Sequence, residues 1–254
     1  MFKEYTVSSI RKLALPLAAI VLIGCGSPGF KETADRVVRS GEQMATTMEI
    51  AAGLRQALEI GITEGAEALS AKDGYLKGPY KILLPPEAQM VADRLQFVPG
   101  FSSVETILVE RLNRAAEDAA ARATPIFKEA IRNMSIRDAM GILMGADNAA
   151  TEYLRMTSYD KLYAAFSPVI IDSLDRFHAR SYWADAATAF NRLPLEQTAN
   201  PDLDDYVVNA ALEGLFAMIE KKEIQIRTDV NARSTALLQR VFARQDNGQP
   251  LATD

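Results

Sequence analysis

Apolar residues return every third or fourth position through most of this 254-residue chain, a period that commits it to packed helices. Val104, Leu108, Leu112, Ala115, Ala119, Ala123, Phe127, Ala130 and Met134 follow one another at that spacing, which predicts one long amphipathic helix with an alanine-rich stripe. The period recurs at Leu162, Phe166, Ile170, Leu174 and Phe177, at Val208, Leu212, Leu215, Phe216 and Ile219, and at Val230, Leu237, Leu238, Val241 and Phe242. Ser167 and Pro168 read as an N-cap and first helical residue, so a kinked or broken helix is expected there. Residues 80–84, between Pro79 and Pro85, are the one stretch with room to be extended. The expected fold class is mainly α: a multi-helix, bundle-like domain over residues 31–242, with at most that one extended segment. Residues 243–254, with Asn247-Gly248 and Pro250, read as a polar, disordered tail.

The chain start obeys different rules. Lys3, Arg11 and Lys12 precede eleven mostly aliphatic residues, 13–23, which as a helix span about 17 Å. That is short of the ~30 Å of bilayer hydrocarbon, so a cleaved export signal over residues 1–24 is expected. Gly24, Gly26 and Gly29 also satisfy G-x-G-x-x-G, but no strand, turn and helix unit surrounds them to carry a dinucleotide. Leu22-Ile23-Gly24-Cys25 resembles the lipobox of bacterial lipoproteins, which implies diacylglyceryl attachment at Cys25 and a short tether over residues 25–30. Two or more acyl chains hold a protein stably on a bilayer without embedding it. In a two-membrane bacterium, Gly26 after the cysteine implies sorting outward, to the periplasmic face of the outer membrane.

Charge and cysteine usage narrow the possible functions. Residues 1–24 hold three of the 28 basic and one of the 33 acidic residues, leaving 25 against 32, a net −7. A domain this acidic is a poor match for nucleic acid. Cys25 is the only cysteine and His178 the only histidine, so neither an intramolecular disulfide nor a zinc site is expected, and no cofactor is called for.

Candidate chemistry is sparse. Ser158 and Lys161 match S-x-x-K, the acylating pair of penicillin-binding enzymes, without the companion elements; the plainer reading makes Ser158 the cap of a helix beginning at Tyr159. His178, three residues after Asp175, reads as a polar residue near a helix end, with Arg180, Tyr182 and Trp183 beside it. Asp202, Asp204 and Asp205 lack the glycine of a calcium loop and read as an N-cap followed by acids in the first turn. Asp147, Thr151 and Arg155 fall at i, i+4 and i+8, one helical face suited to a ligand carboxylate or phosphate, or to internal pairing of Arg155 with Glu152 or Asp147.

"GLRQAL" from Gly53, "DGYLKGPYKILLP" from Asp73, "ILMGADNAATEYLRMTS" from Ile142 and "DLDDYVVNAALEGLFAMIEKKEIQIRTDVNARSTALLQRVF" from Asp202 together resemble the bacterial domain-of-unknown-function 4197 family, over residues 53–242. The resemblance implies a mainly helical, exported domain and brings no activity with it. The expectation is a lipid-anchored cell-envelope protein whose domain binds an envelope protein or a small apolar ligand. The alternatives are an enzyme working through Asp147, Arg155 or His178, and a carrier whose helices open around an apolar ligand.

Overall fold

The computed structural model describes residues 46–193, 199 and 202–246; the expected export signal, Cys25 and the expected tether lie outside them. Nine α-helices make up the described residues: α1 Thr47–Ser70, α2 Pro86–Leu95, α3 Val104–Ala120, α4 Ala123–Asn133, α5 Ile136–Leu143, α6 Ala149–Arg176, α7 Ala179–Asn191, α8 Asp204–Thr228 and, after a 3-10 turn at Val230–Ala232, α9 Ala236–Asp246. No strand occurs among them.

Several helix starts are written locally. Thr46 and Glu49 form a capping box at α1, and Ser135 and Asp138 form a second at α5. Pro86 opens α2 at the first position, where a missing N–H costs nothing. Helix α8 packs along both α6 and α1, while α6 also lies along α3. Phe127, Phe166, Phe216, Leu162, Leu212 and Leu215 are fully buried between these helices. Helices α2 and α7 cover one part of α3, and α4, α5 and α9 pack on α1.

The long helix expected over residues 104–134 is instead two, α3 and α4, separated at Ala121 and Arg122. Pro125 explains the break. Deep inside a continuous helix its ring would clash with the carbonyl four residues back, but as the third residue of α4 it replaces an N–H that has no helical partner.

The opposite happens at Pro168. Helix α6 begins at Ala149 and runs through Ser167 and Pro168 to Arg176, so Ser167 is not a cap and the helix does not end there. An interior proline costs about 3 kcal/mol. Leu162 and Phe166 before it and Ile170 and Leu174 after it are all buried, and that packing offsets the cost. At the C-terminal end, α9 continues through Ala243 to Asp246, four residues into the stretch read as a tail. No helix of the described residues is long and apolar enough to cross a membrane.

Candidate functional site

The residues singled out in the sequence do not assemble into one site. Asp147 is exposed and lies before the first residue of α6, so it shares no helical face with Thr151 and Arg155 and caps nothing. Thr151 is fully buried, and its hydroxyl donates to Glu223 Oε2 at 2.8 Å. Arg155 is claimed by Glu213 in a two-pronged pair, at 2.5 and 3.1 Å, and its guanidinium lies 4.5 Å above the Phe216 ring. The Glu213 hydrogen bonds hold the arginine still more firmly in its charged form.

Ser158 is not a cap either. It is buried in the middle of α6, where its hydroxyl donates to the Leu154 carbonyl, while Lys161 pairs with Glu129 at 2.8 Å. That carbonyl is already an acceptor in the helix ladder, so the serine's bond adds little. Ser158→Ala is expected to change stability by less than about 1 kcal/mol, read by urea denaturation. A loss of several kcal/mol, or acylation of Ser158 by a penicillin-type probe, would contradict this placement.

His178 sits between α6 and α7 with φ 55° and an exposed side chain. Its carbonyl, not its ring, receives the Arg111 guanidinium at 2.8 Å, and Asp175 pairs with Arg180 instead of the histidine. Trp183 is almost wholly buried. Asp202 accepts the Asp204 amide at 2.9 Å, but α8 starts at Asp204 with Leu203 as its N-cap, one residue later than expected. Burial pushes the Asp204 carboxyl up, against the opposing pull of Arg180.

Sequence reasoning passed over the buried polar residues that organise the fold. Glu223, on α8, accepts the amides of Ala150 and Thr151 at 2.9 and 2.8 Å, and so caps α6 from another helix. Its Oε1 also takes Arg227 Nε and Nη2 at 3.0 and 2.9 Å, and Arg227 Nη2 donates onward to the Ile142 carbonyl. Beside this pair, α1 and α8 contribute most of the lining of a small cavity of about 20 Å³ that includes Leu54, Leu58 and Ile62. That is room for a single water, not for a lipid chain.

A second buried set lies on α3 and builds an open groove. Asn113 pairs with Ile82 as a peptide group would: Ile82 N donates to Oδ1 at 2.8 Å, and Nδ2 donates to the Ile82 carbonyl at 2.8 Å. One turn on, Glu117 Oε1 accepts the amides of Tyr75 and Leu76 at 3.2 Å each. Arg114 bridges Glu117 and Asp73 at 2.8 and 2.7 Å, and Asp73 holds the left-handed conformation, φ 70°, that turns the chain. Lys77 and then Arg114 hold the Asp73 carboxyl below its ordinary value. The stabilisation it gives is present above the usual aspartate range and is lost as pH falls through its lowered pKa.

From the other side, the Tyr75 and Tyr80 hydroxyls donate to the carbonyls of Ala211 and Ala217 on α8, and the Tyr206 hydroxyl donates to the Leu83 carbonyl. Burial, then the nearby Glu117 charge, pushes the Tyr75 phenol far up. Gly214 makes the contact possible, because a Cβ there would stand 2.8 Å from Tyr75 Cε1. Residues 80–84, the one stretch with room to be extended, form no strand, and a side-chain amide does the pairing.

Between this fixed loop and the first half of α3 runs a groove of about 570 Å³. Lys72, Asp73, Leu76, Lys77, Lys81 and Leu83 line the loop side, and Glu105, Thr106, Val109, Glu110 and Arg114 the helix side. The volume falls within the ~300–1,000 Å³ of ligand clefts.

The sequence model of a family described as "Protein of unknown function (DUF4197)" matches residues 44–243. No curated protein and no solved structure matches the chain.

Proposed function

We propose a membrane-anchored binding module, starting from the premise that this chain belongs to the DUF4197 family of proteins of unknown function. The single observation that carries the binding reading is the groove. Its loop wall, the stretch "DGYLKGPYKILLP", is fixed from behind by hydrogen bonds to α3 and α8, leaving the side chains of Lys72, Lys81 and Leu83 exposed. A surface set in place before its ligand arrives loses little conformational freedom on binding. Arg155 and Ser158, two of the catalytic candidates, are instead engaged in internal pairs, which favours binding over the enzyme reading. The small apolar cavity beside Glu223 likewise favours the groove over a lipid-carrying interior.

Anchoring rests on the lipobox-like Leu22-Ile23-Gly24-Cys25. Mass spectrometry of the mature N-terminus is expected to find acylated Cys25 as the first residue, and Cys25→Ser to release the protein from membranes. An unmodified cysteine, or cleavage elsewhere, removes the anchor from the reading.

The groove is tested by placing a photo-reactive amino acid at Leu83 and, separately, at Met156, both exposed. In intact envelopes the group at Leu83 is expected to cross-link and that at Met156 to stay silent. Equal labelling from the two positions would count against a binding groove.

A further inference from the structure

Four charged side chains in the groove have no ion-pair partner among the described residues. Lys77, Asp73 and Arg114 neutralise one another within the loop turn, Arg114 also holding Glu117. Lys72 and Lys81 on the loop wall, and Glu105 and Glu110 on the α3 wall, have no ion-pair partner among the described residues. These unpaired charges are opposite in sign on the two walls, and the walls do not close on each other, because Asn113 and Glu117 fix the loop backbone to α3 at a set separation. Exposed Leu83 and half-buried Leu76 add apolar surface to the loop wall.

A ligand of one charge sign meets a like-charged wall wherever it sits. Phosphate drawn to Lys72 and Lys81 faces Glu105 and Glu110, and a polyamine meets the reverse. A ligand with a carboxylate at one end, an ammonium at the other and an apolar part between satisfies both walls at once.

Resting on the binding-module reading, we propose that the groove takes a short zwitterionic peptide or amino-acid conjugate. Its carboxylate lies on the Lys72 and Lys81 side, its ammonium on the Glu105 and Glu110 side and its apolar side chain against Leu83.

The experiment is titration calorimetry of the full chain in detergent with the tripeptide Ala-Leu-Ala. The free peptide is compared with its N-acetylated form, its C-amidated form and inorganic phosphate. The free peptide is expected to bind saturably, and blocking either end to weaken it by about tenfold. Two double variants assign the ends: Lys72→Ala with Lys81→Ala should erase the preference for a free carboxylate, and Glu105→Gln with Glu110→Gln the preference for a free amine. All four residues are exposed, so the helical circular dichroism of both variants should match that of the parent protein.

No saturable binding of the free peptide overturns the proposal. Equal binding of free and blocked peptides, lost in the groove variants, overturns the zwitterion and leaves the binding module standing. So does tighter binding of phosphate than of peptide. Peptide binding that no groove variant changes overturns the zwitterion too, and together with equal cross-linking from Leu83 and Met156 it sinks the binding module as well.

Discussion

Glu223→Ala is expected to destabilise the domain by about 3–5 kcal/mol, the usual cost of breaking a buried ion pair from one side. The carboxylate accepts five hydrogen bonds: the Ala150 and Thr151 amides, the Thr151 hydroxyl, and Nε and Nη2 of Arg227. Alanine leaves two amides at the start of α6 without acceptors, and α6 has no side-chain cap of its own to replace them. It also strands the Arg227 guanidinium, 3% exposed, beside an apolar cavity with only backbone carbonyls for company. The measurement is the urea midpoint, which should fall at an unchanged slope. The double variant Glu223→Leu with Arg227→Met should cost less than the single, because no lone charge remains. A single-variant loss below about 1 kcal/mol would show that water reaches the pair and that it is not buried in solution.

Asn113→Leu is expected to cost about 2–5 kcal/mol, although the two side chains are close in size. Leucine suits the apolar register of α3, and burial alone would welcome it. The loss comes from Ile82, whose N–H and C=O both pair with the Asn113 amide in a buried setting. Each such group costs about 1–3 kcal/mol when left without a partner. Because those bonds fix the loop behind the groove, amide exchange at residues 75–84 should quicken more than exchange in α6. Uniform quickening, or none, would mean that the loop stands without Asn113.

The helices were legible because each buries a regular stripe, and period alone reports that. What the stripe could not report is where a helix stops, since packing and local backbone chemistry compete there. Pro125 ends one helix and starts another, while Pro168 is carried inside a helix because buried neighbours on both sides hold it. The same residue type gave opposite outcomes, and only tertiary contacts separate them.

The candidate site was harder to read, for a related reason. Asp147, Thr151 and Arg155 drew notice as a polar row on a supposed single face, but Asp147 precedes the helix and the other two are answered from α8, more than fifty residues away in sequence. Asn113 and Glu117 carried a signal that went unread: polar residues at i and i+4, set among Val109, Leu112, Ala116 and Ala120 on a buried face. A polar side chain in an apolar register must find a partner or pay for its desolvation, so it marks a place where some other segment docks. Glu223 and Arg227 on α8 show the same spacing.

The three tyrosine bonds between the loop and α8 join residues 123 to 137 positions apart in sequence. A loop that depends on them cannot settle until the last long helix has been made and has docked, because closing so large a span gives no return before that contact forms. During synthesis the groove walls therefore appear late, and a chain interrupted before α8 presents Tyr75 and Tyr80 to solvent with no carbonyls to meet them. The groove is then a product of completed folding, so a partner that recognises it distinguishes finished chains from unfinished ones.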